Sequence, residues 1–346
     1  MPGSSGGDDF EADAGAPGFD GGPTAGSPPS YWGMVPAAGT GGQGGSGVGT
    51  PDPGNGDSWV LPDENWATWP MPNAMSSGLP NPASYDVSLA GIVSDRVTGL
   101  MWQAEPLTAG LPWMETKVGC EMLMLGGYDD WRLPNRIELV SLMSFEAGSM
   151  TDSRAFPFQS PPERSYWSAS PYAGDPSMQV WLVSGFSMAT GYATTAGGEH
   201  SARCVRSTRP EPPEPHYGFS EGVVHDYWTG LSWQRQPPAY WQSLDEVSSY
   251  CEKLALGGHD DWYLPSLKEL LTIVDESRAF PAVDPELFPG TDEMLNGWFW
   301  SSTRFPTATP APEAAPGLRF SDGAAANQPA TTSLLPRCVR QGGSPN

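Results

Sequence analysis

Apolar residues at Leu244, Val247, Cys251 and Leu254 recur every three to four positions, the spacing that turns one face of a helix toward a core. Ser243 stands just before them and Glu246 three residues on, so the first turn can close with a capping box. The pattern predicts a helix from Ser243 to Leu256, stopped by Gly257-Gly258. Leu270, Ile273 and Val274 form a second apolar face behind a second capping box, Ser266 with Glu269. Earlier in the chain the same order occurs: a helix from near Pro112 to Gly126-Gly127, then Asn135 with Glu138 ahead of Leu139, Leu142 and Met143. Short strand-like runs follow it: Tyr166-Trp-Ser-Ala-Ser170, Val180-Trp-Leu-Val-Ser-Gly-Phe186 and the closing Arg203-Cys-Val-Arg206. Helices near the start and short strands after them predict an α+β unit with a small, mainly antiparallel sheet.

The recurrence is an internal repeat. Cys120-Glu-Met-Leu-Met-Leu-Gly-Gly-Tyr-Asp-Asp-Trp-Arg-Leu-Pro134 returns as Cys251-Glu-Lys-Leu-Ala-Leu-Gly-Gly-His-Asp-Asp-Trp-Tyr-Leu-Pro265, a shift of 131 residues. Val93 to Gln103 pairs with Val224 to Gln234 at the same shift. Ser153-Arg-Ala-Phe-Pro157 returns at 277–281, Tyr166-Trp-Ser-Ala-Ser170 at 299–303, and Arg203-Cys-Val-Arg206 at 337–340. The offset changes only between blocks, as loops vary on a fixed scaffold. The copies are placed at 84–207 and 216–341, near the usual domain size. A proline-rich spacer, 208–215, is short and stiff enough to keep them neighbours.

Ahead of the copies the pattern dissolves. Residues 1–57 are Gly, Pro, Ser, Ala and Asp with few large apolar groups, too little burial to offset ordering entropy, which predicts a disordered tail. Residues 58–83 carry Trp59, Trp66 and Trp69 among prolines, an extended segment able to strap onto the first copy. The net charge is −23; the first 83 residues hold 9 acids and no Lys or Arg, the first copy 13 acids against 8 bases, and the second 16 against 8. No basic run exists, which argues against nucleic acid and anionic lipid as partners. No apolar run approaches the roughly 20 residues of a membrane helix.

Each copy holds one cysteine pair, Cys120 with Cys204 and Cys251 with Cys338, 84 and 87 residues apart. Those separations do not suit a zinc knuckle. The reading favoured is one disulfide within each copy, the bland alternative being buried thiols. Disulfides point to an oxidising compartment. Met1-Pro-Gly-Ser-Ser-Gly-Gly lacks the basic and apolar regions of a signal peptide, so a secreted or surface location would need an export signal that this chain does not display.

In their order, Thr-Gly-Leu-Met-Trp-Gln, Gly-Gly-Tyr-Asp-Asp-Trp-Arg-Leu-Pro-Asn, Tyr-Trp-Ser-Ala-Ser and Arg-Cys-Val-Arg resemble a family of bacterial domains that also forms the C-terminus of Legionella collagen-like adhesins. The resemblance covers both copies. It implies tandem C-type-lectin-like domains, an exported or surface location, and adhesion through a surface carbohydrate or protein as the role. The adhesin members bind sulfated glycosaminoglycans; this chain has no collagen-like region, and its acidity would repel a polyanion, so that ligand is not carried over.

Candidate chemistry is sparse. The pairs Asp129-Asp130 and Asp260-Asp261 recur, and hard cations such as Ca²⁺ seek carboxylates, but two adjacent aspartates supply too few oxygens. The favoured reading is that they fix the loop before Leu-Pro, with calcium the lesser alternative and no cofactor required. Trp102/Trp233, Trp131/Trp262 and Trp167/Trp300 recur and read as core. Trp181, Trp241 and Trp298 stand outside the repeat register and are the candidates for exposed ligand contact. His225 and His259 align with Ser94 and Tyr128, and no catalytic motif is present, so the reading is a binding protein and not an enzyme. Alternatives are a structural part of an envelope or appendage assembly and, less favoured, a formylglycine-generating-type oxidase. Ligand contact is expected where the copies differ, in loops 144–165, 171–202 and 282–336.

Overall fold

The structure is a computed structural model, and it describes residues 71–75, 81–144, 151–152, 154–156, 165–184, 189–195, 200–206, 216–290, 297–304 and 314–342. The tail, the spacer, Trp59, Trp66 and Trp69 lie outside the described residues, as do parts of the three variable loops. Elements follow in chain order: β1 (Tyr85–Asp86), β2 (Ile92–Asp95), β3 (Met101–Gln103), β4 (Leu107–Leu111), α1 (Trp113–Glu121), α2 (Arg136–Leu142), β5 (Ser165–Pro171), β6 (Gln179–Ser184), β7 (Ala189–Thr194), β8 (His200–Ala202) and β9 (Val205–Arg206). The second copy continues with β10 (Tyr217–Ser220), β11 (Val223–Asp226), β12 (Leu231–Gln234), α3 (Leu244–Glu252), α4 (Leu267–Leu271), β13 (Trp298–Trp300), β14 (Ala314–Arg319), β15 (Ala325–Pro329) and β16 (Val339–Gln341). The architecture is α+β with mostly antiparallel sheets.

Local signals formed where they are read. Glu246 accepts from the Ser243 amide at 2.8 Å, and Glu269 from that of Ser266 at 2.8 Å. Glu138 takes the Asn135 amide at 2.7 Å. One boundary differs. The helix begun at Leu244 ends at Glu252, four residues before Leu256, and the Leu256 amide, which a longer helix would need, donates to His259 instead. The Leu256 carbonyl accepts the Trp262 indole at 3.2 Å, and Leu256 exchanges both backbone hydrogen bonds with His259 around Gly257-Gly258. Both glycines have positive φ, 61° and 77°, which the two-residue turn requires. Leu125 and Tyr128 repeat that hairpin in the first copy around Gly126-Gly127.

Each copy opens with the same four-stranded sheet, β1-β2-β3-β9 and β10-β11-β12-β16. Trp102 of β3 lies opposite Val205, and Trp233 of β12 opposite Val339. A third sheet of eight strands runs in the order β13-β14-β15-β7-β6-β5-β8-β4. It crosses from one copy to the other where Ala325 of β15 pairs with Thr190 of β7. The sequence β13-β14-β15 meets its counterpart β7-β6-β5 in reversed order, the mark of a pseudo-twofold contact. Here the copies fuse into one body.

Burial shows the same union. One core per copy surrounds its disulfide: Trp113, Trp131, Trp167, Cys120 and Cys204 in the first, and Leu244, Val247, Trp262, Trp300, Cys251 and Cys338 in the second. The disulfides are Cys120–Cys204 and Cys251–Cys338. A third core is shared, with Leu139, Val140 and Leu142 of α2 beside Leu270 and Leu271 of α4. Consequently α2 is buried on every side, including Arg136 and Glu138. Met71 and Asn73, part of the segment expected to strap the first copy, are buried as well.

Candidate functional site

The repeated aspartate loop is tied to the last strand. Arg206 grips Asp130 with both ends of its guanidinium, at 2.6 and 3.0 Å, and Arg340 grips Asp261 at the same distances. These bonds hold both carboxyls below the ordinary carboxylate range. Arg206 also lies 3.7 Å above the Tyr128 ring. A calcium ion takes six to eight oxygens, whereas the second carboxylate of each pair is committed to an arginine and Asp129 and Asp260 are exposed. Among the described residues no group of three His, Cys, Asp or Glu is placed to hold a metal. The arrangement pins a hairpin to a strand.

The six repeated tryptophans are core, all 2% exposed or less. Trp167 donates to the Leu111 carbonyl and Trp300 to that of Gln242, both at 3.1 Å. Of the three tryptophans expected at the surface, Trp181 is not there. It is 2% exposed, with Arg136 4.0 Å above its ring and Tyr172 and Tyr192 against it edge-on. It sits on β6, and the groups that cover it, Arg136, Tyr172 and Tyr192, come from its own domain. Trp298 is half-buried beneath Arg319, 5.1 Å from its ring. Trp241 is 47% exposed, next to Tyr240 at 52%.

Starting at Gln242, next in the chain to Trp241, an open groove of about 450 Å³ runs along α3, lined also by Glu246, Ser249, Tyr250, Lys253 and Leu254 among others. Tyr240 packs edge-on to Tyr250, at 6.5 Å between centroids, at the groove wall. The Tyr250 hydroxyl accepts from Gln234 at 2.8 Å, which fixes the ring. Lys253 donates to Ser249 at 3.0 Å, leaving a cation at the groove edge. Glu246 is held ionised by the hydroxyl and amide of Ser243. Gln242 Oε1 is buried and accepts no hydrogen bond among the described residues. A buried acceptor without a partner is costly unless something supplies a donor. The groove sets polar side chains next in the chain to an exposed aromatic pair, Tyr240 and Trp241.

The model of the Lcl C-terminal domain matches residues 91–206 and again 222–340. The chain belongs to the Lcl C-terminal domain family. No curated protein matches it. Among solved structures, the crystal structure of botrocetin is similar at 17% identity, over 38% of this chain and 100% of that one, with a TM-score of 0.22, too low to argue from.

The two Lcl C-terminal domains differ at this groove. Where the second has Tyr240, Trp241 and Gln242, the first has Ala109, Gly110 and Leu111, the end of strand β4. Tyr250 and Lys253 stand where the first domain has Gly119 and Met122. The groove lies outside the three variable loops. Trp241 was legible in the sequence; Tyr240, Gln242 and Tyr250 were not singled out, although laying one copy over the other exposes them.

Proposed function

We propose that this protein is a non-catalytic binding protein of the cell exterior that recognises carbohydrate through the α3 groove of its second Lcl C-terminal domain. The observation that carries the reading is the exposed Tyr240-Trp241 pair leading into a groove lined by the polar side chains of Gln242, Glu246, Ser249 and Lys253. A pyranose offers both complements, a face of C–H groups for an aromatic ring and hydroxyls for the polar side chains of the groove. The two disulfides support an oxidising location. Among the described residues no helix is long and apolar enough to cross a membrane. Two helices, a small sheet and a helix-to-last-strand disulfide in each domain support a C-type-lectin-like assignment of the fold.

The test is a glycan and surface-protein array probed with the full chain and with Trp241→Ala, each with calcium and with chelator. Glycan binding in both conditions, lost in the variant, is the expected result. No glycan bound in either condition, or equal binding by Trp241→Ala, would overturn the reading. Binding only with calcium would show that a cation takes part in recognition.

A further inference from the structure

Helix α1 of the first domain carries an apolar stripe that its counterpart lacks. Met114, Val118 and Met122 follow at four-residue intervals and are 50%, 42% and 76% exposed; Met124, just beyond, is 81% exposed. The equivalent positions in the second domain are Asp245, Ser249, Lys253 and Ala255. One fold built twice shows what the scaffold needs there, and it does not need apolar residues. Exposed apolar groups gathered on one face mark an interaction surface, and methionine suits one because its flexible thioether adapts to a partner.

Charge selects the partner. At about 100° per residue, Glu121 falls on one side of the stripe and Glu115 on the other, and both are exposed. Lys117 lies 4.0 Å from Glu121, and the whole chain is at −23. A second copy of this chain would bring two strongly negative surfaces together, and an anionic lipid surface would be repelled likewise. We infer that the α1 face of the first domain docks a cationic amphipathic helix of a partner protein, its apolar side on Met114, Val118 and Met122 and its Lys or Arg residues over Glu115 and Glu121. This surface is independent of the α3 groove.

The probe is a fluorescent 18-residue Leu/Lys amphipathic peptide, with a Leu/Glu peptide of the same pattern as the opposite charge. The variant Met114→Asp, Val118→Ser, Met122→Lys, Met124→Ala places the second domain's own residues on α1. It adds one acid and one base, so net charge does not change. The Leu/Lys peptide should bind the full chain, and at least tenfold more weakly the variant, whose melting temperature should match the parent's. Glu115→Gln with Glu121→Gln should weaken binding and flatten its salt dependence. Equal binding by the four-residue variant, or preference for the Leu/Glu peptide, would overturn the inference. So would sedimentation showing a dimer that the same variant dissociates, since the stripe would then be a self-contact.

Discussion

The guanidinium of Arg136 and the carboxylate of Glu276 meet 3.4 Å apart across the junction of the two domains, with side chains 0% and 5% exposed. Burial pushes the arginine down and the glutamic acid up, and each offsets the other. Asp322 adds to the field at Arg136. At the position of Arg136 the second domain has Leu267, so the pair exists once, on one side of a pseudo-symmetric contact. An ion pair of this kind need not add stability over an apolar pair, but it strongly penalises loss of either member.

Arg136→Leu should therefore lower unfolding free energy by about 3–5 kcal/mol, because Glu276 is left buried without its cation. Arg136→Leu with Glu276→Met should recover most of that loss. Urea unfolding of the single and double variants gives the comparison. A double variant as unstable as the single would mean that the pair itself stabilises the junction.

Lys268 gives the junction a pH dependence. Its ammonium donates to the Ser141 carbonyl at 2.8 Å and to that of Pro72 at 2.6 Å, joining second domain, first domain and strap. Burial lowers its pKa to about 7, against the pull of Asp95. Asp95 itself is raised by burial, with hydrogen bonds from Thr98 and Val97 opposing. Between about pH 7 and the free-lysine value the unfolded chain holds a proton that the folded chain does not, so stability rises with pH in that window. Relative to Lys268→Met, the protein should gain on the order of 2–3 kcal/mol from pH 7 to 9.5, since each pH unit contributes about 1.4 kcal/mol. Parallel profiles for the two proteins would show that Lys268 stays charged in the fold.

What was legible in the sequence was what neighbours in the chain determine. The capping boxes at Ser243, Ser266 and Asn135 need only residues three apart, and they formed. The disulfide pairing and the core tryptophans needed long-range information, which the repeat supplied by showing each residue twice. The junction had no such support. Arg136 and Lys268 stand in the first turn of their helices, where a charge ordinarily meets water, and nothing local marks them as buried. The clue was α2 itself, whose Ile137, Leu139, Val140, Leu142 and Met143 are too many for one face. Trp181 was misplaced because no tryptophan repeats it in the second domain, and its cover, Arg136, Tyr172 and Tyr192, stands apart from it in the chain.

Each disulfide joins a helix to the closing strand at the centre of its own core. Cys251→Ser with Cys338→Ser should cost on the order of 4 kcal/mol in the chain-entropy account of an 87-residue loop. The first-domain pair should cost nearly the same, its loop being 84 residues. Because the domains share a core, either loss should lower one common melting transition, where independent domains would show two. Denatured but unreduced protein should titrate no thiols; four would remove the case for an oxidising compartment.

The two arginines of Arg-Cys-Val-Arg should answer substitution very differently. Arg337 is fully buried and donates to the carbonyls of Gln234 and Arg235 at 3.0 and 2.9 Å, with Phe288, Phe299 and Phe320 around its guanidinium. Arg203 repeats this in the first domain, donating to the carbonyls of Gln103 and Ala104 and lying 4.8 Å from the Phe156 ring. Arg337→Met leaves two carbonyls without a donor, a loss of about 2–4 kcal/mol. Arg337→Lys should rescue only in part, because an ammonium can donate to the carbonyls but lacks the planar guanidinium that lies among the three rings. Arg340 instead holds Asp261, whose side chain is 55% exposed. Arg340→Gln should cost under about 1 kcal/mol, and less as salt is raised. Denaturant midpoints of the three variants at low and high salt test the contrast. Equal losses at Arg337 and Arg340 would mean that the aspartate loop is a principal support of the fold and not only a tether for its hairpin.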